Sequence, residues 1–382
     1  MRSLVALAMT GRPAFVDELR RAWDAGDAVL PLDPRLPPPA RRRLVEELAP
    51  EVVVDDTGTR SRLRNGVPVE GGDALVVATS GTTGAPKGVV LTHEAVRASA
   101  IATSERLGVD PAVDTWLACL PLAHVGGLSV VTRAIVTGTS VEVQARFEAG
   151  DVERAARERG ATLVSLVPTA LARLGGAAGA FRRILLGGSA PPPELPSNVV
   201  TTYGMTETGS GVVYDGAPLD GVEVRIGDGE EVLVRGPMLL RAYRDGSDPK
   251  RADGFLATGD AGYIEGGLLH VHGRLSDLVV TGGENVWPAA VERVLRSHPA
   301  VRDVAVTGRA DPEWGERVVA LVVPEDGDGD GPEPSLEALR ELVKEHLGPW
   351  AAPRELVLVR DLPRSPAGKV LRRSSGGPAP AP

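Results

Sequence analysis

Residues 79–88 read Thr79-Ser80-Gly81-Thr82-Thr83-Gly84-Ala85-Pro86-Lys87-Gly88, and they carry the strongest local signal in the chain. The apolar run Ala74–Ala78 before them predicts a strand, and a helix is predicted from about Thr92. Hydroxyls, glycines and a lysine in this order can surround phosphate oxygens with backbone N–H groups and positive charge. The Gly-x4-Gly-Lys-Ser/Thr order of a Walker A loop is absent. The segment therefore predicts a phosphate-binding loop of another kind, between a strand and a helix.

Short apolar runs alternate with helical periods around this loop, which predicts an α/β fold with mixed, mainly parallel sheets. From residue 222 to 272 the helical periods disappear, and short strands between Gly-rich turns predict a small β subdomain. After Arg274, helices and strands indicate a small α+β domain. We expect an N-terminal domain at 1–274, a C-terminal domain at 275–374 and a disordered tail at 375–382.

Length and composition limit the kinds of protein that fit. A chain of 382 residues predicts two domains. The net charge of −9 argues against a nucleic-acid binder, which needs a basic face. The single cysteine, Cys119, lies in an apolar run; it permits no disulfide within the chain, and we expect it to be buried and structural. No apolar stretch is long enough to span a membrane. Together these features predict a cytoplasmic protein.

Several further segments, in order, resemble motifs of the adenylate-forming superfamily, which includes acyl-CoA synthetases, luciferases and adenylation domains. The resemblance covers roughly residues 26–373. It implies a large N-terminal domain with a small mobile C-terminal domain. It also implies activation of a small-molecule carboxylic acid with ATP and Mg²⁺, then transfer of the acyl group to coenzyme A. The segments are LPLDPRLP at 30–37, LPLAHVGGL at 120–128, LLGGSAPP at 185–192, TTYGMTETG at 201–209, TGD at 258–260, GRLSD at 273–277, GGENVWPAAVE at 282–292 and PRSPAGKVLRR at 363–373.

The resemblance also implies roles for individual residues. Lys369 and Lys87 would stabilise the phosphate charge, and Glu207 would hold Mg²⁺, since hard cations prefer carboxylate oxygens. His124 would line the acyl pocket and contribute to catalysis. The implied nucleotide and CoA contacts are Thr79, Ser80, Gly81, Thr82, Thr83 and Gly84 at the phosphates; Gly187, Gly188, Ser189, Thr202, Tyr203, Gly204, Met205 and Thr206 around the adenine and the acyl group; Asp260 and Arg274 at the ribose; and Gly282 and Gly283 at the pantetheine tunnel.

Two features depart from the superfamily pattern. The hinge residue is usually Asp or Lys, but Ser276 stands at that position and Asp277 follows it. The phosphate loop also begins unusually early, so we expect an abbreviated N-terminal lobe.

The acid is suggested by a narrower resemblance. HVGGLSVVTR at 124–133 and GGENVWPAAVE at 282–292 resemble o-succinylbenzoate–CoA ligases of menaquinone synthesis, particularly compact actinobacterial forms. In that group an arginine nine residues after the pocket histidine helps to hold the second carboxylate of the substrate, and Arg133 has this spacing. A dicarboxylate needs such a cation. The alternative is a surface arginine on a helix. Ser165, Thr169 and Ser189 are candidate polar residues of the pocket, or helix-cap and turn residues.

Other functions remain open at this point. A ligase for another aryl or medium-chain acid, a stand-alone adenylation enzyme that serves a carrier protein, and a non-catalytic nucleotide-binding or scaffold protein are alternatives. Glu207, Asp260, Arg274 and Lys369 are all present, which argues against a decayed site. Homodimers are common in the superfamily, so a homodimer is an expectation from the resemblance alone.

Overall fold

The computed structural model describes residues 2–79, 86–325 and 334–363. These residues divide into two compact units. Unit 1 comprises the described residues up to Val224, together with Val234–Ala257 and Gly266–Leu269. Unit 2 comprises Arg225–Leu233, Thr258–Glu265 and the described residues from His270 onward. The boundary near residue 275 remains a prediction. The tail at 375–382 and most of the acidic loop at 325–335 lie outside the described residues.

Strands and helices alternate along the described chain, which confirms the α/β fold class. The strands are β1 (Leu4–Ala8), β2 (Ala28–Pro31), β3 (Val52–Asp55), β4 (Arg60–Arg62), β5 (Asp73–Thr79), β6 (Lys87–Thr92), β7 (Thr115–Ala118), β8 (Ser140–Val143), β9 (Leu163–Leu166), β10 (Arg183–Leu186), β11 (Val199–Met205), β12 (Ser210–Tyr214), β13 (Ala217–Pro218), β14 (Glu223–Ile226), β15 (Glu231–Arg235), β16 (Ala242–Tyr243), β17 (Leu256–Glu265), β18 (Leu268–Arg274), β19 (Val279–Thr281), β20 (Glu284–Val286), β21 (Val301–Asp311), β22 (Gly315–Pro324) and β23 (Glu355–Leu358).

The helices begin where the sequence offers proline or a hydroxyl cap. Prolines start α1, α2, α6 and α7, where their missing N–H costs nothing. Thr92 and Ser335 cap α3 and α8 by accepting a backbone hydrogen bond. The helices are α1 (Pro13–Asp24), α2 (Pro38–Leu48), α3 (His93–Leu107), α4 (Val125–Thr137), α5 (Ala149–Glu158), α6 (Pro168–Leu174), α7 (Pro288–Leu295) and α8 (Leu336–His346), with 3₁₀ turns at Gly175–Ala180, Thr206–Thr208, Asp228–Glu230, Leu275–Asp277 and Pro349–Ala351.

The first sheet has the strand order β16-β6-β5-β2-β1-β3-β4. Its centre is β1, whose five residues are all buried and which pairs in parallel with β2 and β3. Apolar side chains on neighbouring strands, among them Leu4, Leu30 and Val76, pack into one core cluster. No element was predicted at Leu4–Ala8, although the run LVALA is typical of a buried strand, whereas strands were predicted at the positions of β2, β3 and β5.

The predicted phosphate loop connects two antiparallel strands of this sheet. Thr79 at the end of β5 pairs with Lys87 at the start of β6. The Thr79 hydroxyl donates to the Lys87 carbonyl oxygen at 3.4 Å. The helix predicted from about Thr92 is confirmed as α3, which is capped by Thr92, whereas strand β6 before it was not predicted.

The second sheet has the order β13-β12-β11-β10-β9-β7-β8. From β8 to β11 the pairing is parallel, and from β11 to β13 it is antiparallel. Parallel strands align their carboxyl ends at one edge, where ligands of α/β sheets usually bind. The predicted residues of the 185–192 and 201–209 segments follow or end such strands.

The predicted small β subdomain is a sheet in the order β14-β15-β17-β18. Strand β17 was not predicted: its Gly-rich sequence LATGDAGYIE suggested turns. Unit 2 holds a sheet in the order β20-β19-β22-β21, with β23 beside β22. Helices α7 and α8 contribute Val291, Leu295, Leu339 and Val343 to its core.

Candidate active site

Two predicted catalytic residues meet at a tyrosine that the sequence motifs did not indicate. The ammonium group of Lys87 lies 4.7 Å from the centroid of the Tyr243 ring. The hydroxyl of the same tyrosine donates to Glu207 Oε1 at 3.0 Å. Burial, and then the charge of the Glu207 carboxylate, raises the pKa of Tyr243 above its ordinary value, so the hydroxyl stays protonated. Lys87, Tyr243 and Glu207 are half-buried, which leaves them open to a ligand.

Glu207 lies in a short turn that several hydrogen bonds hold in place. It is the middle residue of the 3₁₀ turn Thr206–Thr208. The Thr208 hydroxyl is bonded to the backbone of Met205 and Ser210. The carbonyl oxygen of Glu207 accepts a hydrogen bond from Leu240 N at 2.7 Å. The backbone is therefore held on both sides of the carboxylate.

The carboxylate of Glu207 fits the predicted Mg²⁺. Mg²⁺ is typically bound by one or two carboxylates together with substrate phosphates, rather than by a cage of protein ligands. Accordingly, residues 2–79, 86–325 and 334–363 contain no group of three or more His, Cys, Asp and Glu side chains that could hold an ion by themselves. One oriented carboxylate, together with substrate phosphates, is a typical ligand set for this metal.

The predicted adenine segment lies on β11, where the strand is irregular. The pairing of β11 with β12 shifts register between Tyr203 and Gly204. Such a bulge changes the direction of the side chains that follow it. A Cβ on Gly204 would lie 2.2 Å from the Ser210 carbonyl oxygen, so the close approach of the two strands requires glycine here. The hydroxyl of Thr202 donates to the Leu186 carbonyl oxygen at 3.3 Å, which brings the segment Gly187, Gly188 and Ser189 beside β11.

The predicted acid-binding arginine is buried, and no carboxylate in the described part of the chain pairs with it. Arg133 lies on α4 and is 1% exposed. Its Nη2 donates to the Ser210 hydroxyl at 3.3 Å, and its guanidinium carbon lies 4.7 Å from the centroid of the Trp116 ring. Burial lowers the pKa of Arg133, although a guanidinium stays charged at neutral pH. The surface-residue alternative for Arg133 is therefore wrong.

Arg133 and Trp116 have three hydrogen-bond donors that lack an acceptor in the part of the chain that the structure describes. Nε and Nη1 of Arg133 and Nε1 of Trp116 are buried, and each is without a hydrogen-bond partner among the described residues. A buried, unpaired donor costs about 1–3 kcal/mol, and more when it is charged. Native proteins rarely leave such groups unpaired without a ligand or water to satisfy them.

A small cavity lies beside this arginine. Its volume is about 10 Å³, room for about one water molecule. A carboxylate would therefore reach Arg133 only after neighbouring side chains move. The cavity is lined by parts of β5, α3 and α4, together with Gly209; the polar lining residues are Ser99, Ser129, Thr132 and Arg133.

The remaining predicted acyl-pocket residues are placed differently from one another. His124 is half-buried and stands at the N-cap position of α4, the helix that carries Arg133. Ser165 lies within β9, opposite Leu185 of β10. Thr169, in the first turn of α6, and Ser189 are both exposed. Helix α4 thus joins the predicted pocket histidine to the buried arginine.

In unit 2 the two predicted ribose residues form an ion pair. Arg274 Nε lies 3.0 Å from Asp260 Oδ1, and Arg274 Nη1 donates to the Thr258 carbonyl oxygen at 2.8 Å. Asp260 is buried on β17, whereas Arg274 is exposed. The alternative of a turn aspartate is wrong, since the residue belongs to a strand.

The predicted pantetheine residues form a tight hairpin turn in unit 2. Thr281 of β19 pairs with Glu284 of β20, so Gly282 and Gly283 are the two central residues. Their φ values are +60° and +86°, as a type I′ turn requires. Both glycines are exposed. The candidate hinge residues Ser276 and Asp277 lie in the 3₁₀ turn Leu275–Asp277.

Some predicted site residues fall outside the described part of the chain. These are Ser80, Gly81, Thr82, Thr83, Gly84 and Lys369. Separately, no helix in residues 2–79, 86–325 and 334–363 combines the length and the apolar character needed to cross a membrane.

Comparison with known sequences identifies relatives along most of the chain. The sequence model of the family described as AMP-binding enzyme matches residues 64–244, and that of the AMP-binding enzyme C-terminal domain matches residues 290–369. A probable 2-succinylbenzoate–CoA ligase of Mycobacterium tuberculosis is 41% identical over 361 residues, which cover 87% of this chain and 92% of the relative. A 2-succinylbenzoate–CoA ligase of Bacillus cereus is 37% identical, covering 78% of this chain and 68% of the relative.

Solved structures agree with the sequence comparison. The o-succinylbenzoate CoA synthetase (MenE) of Bacillus subtilis, in complex with the acyl-adenylate intermediate OSB-AMP, superposes with a TM-score of 0.86 at 29% identity, over 98% of this chain and 88% of that chain. MatB from Rhodopseudomonas palustris, with ATP bound, shares the fold with a TM-score of 0.84 at 23% identity, over 97% of this chain and 87% of that chain. The chain therefore belongs to the adenylate-forming, AMP-binding enzyme family, in its 2-succinylbenzoate–CoA ligase group.

Proposed function

We propose that the chain is an ATP-dependent 2-succinylbenzoate–CoA ligase of menaquinone biosynthesis. It would join o-succinylbenzoate to coenzyme A through an acyl-AMP intermediate and release AMP and pyrophosphate. The observation that carries the choice of acid is the buried Arg133, whose Nε and Nη1 have no acceptor among the described residues. A second substrate carboxylate is the group that would satisfy them.

In the first half-reaction, an oxygen of the substrate carboxylate attacks the α-phosphorus of ATP, and the bond from that phosphorus to pyrophosphate breaks. Negative charge builds on the phosphorus oxygens, so a positioned cation lowers the barrier. Lys87 stands at the base of the phosphate loop and fits this role. Glu207 would hold Mg²⁺, which neutralises phosphate charge when bound. Lys369 would act here too; that assignment rests on the sequence motif.

Further residues would hold the nucleotide. Tyr203 and its neighbours Thr202, Gly204, Met205 and Thr206 would contact the adenine and the acyl-adenylate. Asp260 would accept hydrogen bonds from the ribose hydroxyls. The ion pair with Arg274, at 3.0 Å, supports this role because it orients the Asp260 carboxylate. The Thr79–Gly84 segment would contact the phosphates.

In the second half-reaction, the thiol sulfur of coenzyme A attacks the acyl carbonyl carbon, the thiol proton is lost and AMP leaves. The Gly282–Gly283 turn would line the pantetheine path. This role is supported by the exposure of the hairpin turn, whose two glycines place no side chain at its tip. His124 at the start of α4 would line the acyl pocket, with Ser165, Thr169 and Ser189 as further polar groups.

Arg133 would select a dicarboxylate by the chemistry of its guanidinium. A planar fork of N–H donors binds a carboxylate through two parallel hydrogen bonds. In a buried site, an acid without the second carboxylate would leave these donors unpaired, which is how polar pockets reject such analogues. A fatty acid or simple benzoate offers no compensation for the buried charge.

Two further expectations accompany this proposal. A cytoplasmic location would give the enzyme its ATP and coenzyme A, and would suit a chain whose only cysteine, Cys119, is a buried thiol. A homodimer is expected because homodimers are common in the superfamily. Subcellular fractionation and sedimentation analysis test these two expectations separately.

The experiment is mass spectrometry of the acyl-CoA formed from ATP, Mg²⁺ and coenzyme A with a panel of acids that includes o-succinylbenzoate, benzoate and medium-chain acids. A dominant o-succinylbenzoyl-CoA product is the expected result. A product from another acid only would discard the proposed substrate and keep the ligase. ATP/pyrophosphate exchange without thioester would favour an adenylation enzyme for a carrier protein, and no exchange with any acid would favour a non-catalytic protein.

A further inference from the structure

We infer that Tyr243 is a positioning residue of the nucleotide site: it keeps Lys87 and Glu207 apart and holds each in place for the phosphates and their Mg²⁺. The inference rests on the proposed function for the roles of those two residues. It assigns a role to a third side chain, which bears no charge and which the sequence motifs did not indicate.

Strand pairing and backbone hydrogen bonds fix the position of the Tyr243 backbone. Strand β16 pairs antiparallel with β6, and Tyr243 lies opposite Val89. Its N–H donates to the Ser247 carbonyl oxygen at 2.8 Å, and its own carbonyl oxygen accepts from Gly246 N at 2.9 Å. The next residue, Arg244, donates from its N–H to the Gly88 carbonyl oxygen at 2.7 Å. The ring is thus anchored to the strand that begins with Lys87.

The hydroxyl of Tyr243 orients the carboxylate. It donates to Oε1 of Glu207 at 3.0 Å, while Oε2 has no hydrogen-bond partner among the described residues. A carboxylate held through one oxygen presents the other in a fixed direction. Groups that hydrogen-bond to a metal ligand in this way typically contribute ten- to a hundredfold to metal affinity.

The ring of Tyr243 orients the lysine. The Lys87 ammonium lies 4.7 Å from the ring centroid, within the range of a cation–π contact. No ion pair joins Lys87 to Glu207 in the described part of the chain. Two opposite charges on neighbouring elements would otherwise tend to pair and neutralise each other. Because Tyr243 contacts Lys87 through its ring and Glu207 through its hydroxyl, both charges would remain available to ATP.

The two contacts can be separated by substitution. Tyr243→Phe keeps the ring under Lys87 and removes only the hydroxyl. Tyr243→Leu removes both contacts and keeps an apolar side chain. ATP binding is measured by isothermal titration calorimetry at a series of Mg²⁺ concentrations, without acid or coenzyme A, so that no turnover is needed.

We expect Tyr243→Phe to raise the Mg²⁺ concentration for half-maximal ATP affinity about tenfold, and to leave ATP affinity at saturating Mg²⁺ near the wild-type value. Tyr243→Leu should shift the Mg²⁺ requirement equally and also weaken ATP binding at saturating Mg²⁺ about three- to tenfold. Tyr263→Phe, which removes an exposed hydroxyl from β17, is the matched control and should behave as wild type.

An unchanged Mg²⁺ requirement in a folded Tyr243→Phe variant would overturn the inference, and so would an equal loss of ATP affinity at all Mg²⁺ concentrations. Circular dichroism and thermal unfolding establish that each variant is folded. If the wild type binds ATP with Mg²⁺ but adenylates no acid in the panel, the proposed function fails while the Tyr243 measurement still decides this inference.

Discussion

Two buried charged residues beside strand β7, Asp114 and Arg133, differ in the partners that the described residues give them. Asp114, immediately before the strand, is 3% exposed, and Arg182 contacts it through Nη2 at 2.5 Å and Nε at 3.0 Å. The Thr162 hydroxyl also donates to it at 2.7 Å. Arg133 packs against Trp116, within the same strand, and is 1% exposed with no carboxylate partner among the described residues.

We interpret this difference as the contrast between a structural charge, Asp114, and a charge proposed to bind a ligand, Arg133. A buried ion is costly unless an opposite charge and hydrogen bonds compensate it. The fold supplies that compensation in full to Asp114. It supplies Arg133 with one serine hydroxyl and an aromatic ring, and leaves two nitrogens without an acceptor in the described part of the chain. The missing acceptor is therefore expected to come from the substrate.

The largest expected effect comes from breaking the structural pair. Arg182→Met leaves Asp114 buried and unpaired, so we expect the free energy of unfolding to fall by about 3–5 kcal/mol in urea at pH 7. Arg183→Met is the control, because the side chain next to Arg182 makes one hydrogen bond, to a backbone carbonyl oxygen. A loss below about 1 kcal/mol, which is typical of a surface pair, would contradict the structural role.

The same variant has a pH signature. Burial alone would raise the pKa of Asp114, but hydrogen bonds from Arg182 and Thr162 outweigh it and hold the pKa below its ordinary value. This stabilisation is present above the ordinary pKa of an aspartate, about 3.9, and is lost as the pH falls further. Removing Arg182 takes away part of what lowers the pKa of Asp114, so this pKa rises relative to the wild type. The midpoint of acid unfolding, followed by circular dichroism, should move to higher pH; an unmoved midpoint would argue against this balance.

The second effect concerns the ligand charge. Arg133→Met removes a buried cation without breaking an ion pair, so we expect the free energy of unfolding to be unchanged or about 1–3 kcal/mol higher. The kcat/KM for o-succinylbenzoate should fall about 100- to 1,000-fold, with KM for ATP within about twofold of wild type. Arg154→Met on α5 serves as the control. Destabilisation as large as that of Arg182→Met would mean that Arg133 is structural too.

A smaller effect should follow from the one protein acceptor that the structure gives Arg133 among the described residues. Ser210→Ala removes the hydroxyl that lies 3.3 Å from Nη2. A neutral acceptor of this kind contributes about 0.5–1.5 kcal/mol, so we expect KM for o-succinylbenzoate to rise about two- to tenfold. Ser297→Ala removes a comparable hydroxyl bond to a backbone carbonyl in unit 2 and should leave KM unchanged. Equal changes in the two variants would remove Ser210 from the substrate site.

The smallest expected effect concerns the rate at which a thiol reagent labels Cys119, the residue that directly follows β7. Burial raises the pKa of this thiol to about 12, so at about pH 8 it is almost entirely protonated and reacts slowly with a thiol reagent. Arg133→Met should leave the labelling rate within about twofold of wild type, whereas Arg182→Met should accelerate it because the strand opens more often. Faster labelling in Arg133→Met would show that this arginine also holds β7 in place.

The residue types of the site could be predicted from the sequence better than their surroundings. Motif order and spacing indicated Lys87, Glu207, Arg133, Asp260 and Arg274 as candidates, because these residues carry charge in recognisable segments, and their roles stay predictions. Tyr243 was missed, since a tyrosine in a two-residue strand has no local signal and meets its partners only through the pairing of β16 with β6.

The fold was predicted where apolar runs and helical periods are long. Strand β1, near the N-terminus, was not predicted. Strand β17 was not predicted either, because its glycines suggested turns. Strand β6 was merged with the phosphate loop because Lys87 and Gly88 read as loop residues. In each case, pairing with a neighbouring strand determines that the segment forms a strand. The sequence pattern of the segment alone does not reveal that neighbour.

The pairing of Arg133 with a second substrate carboxylate is the central claim about this protein. The direct measurement compares kcat/KM for o-succinylbenzoate and for benzoylpropionate, which lacks that carboxylate, in the wild type and in Arg133→Met. We predict that the wild type strongly prefers o-succinylbenzoate and that the variant loses most of this preference, a coupling of roughly 2 kcal/mol or more. Equal proportional losses for the two acids would contradict the claim, because Arg133 would then not contact the second carboxylate.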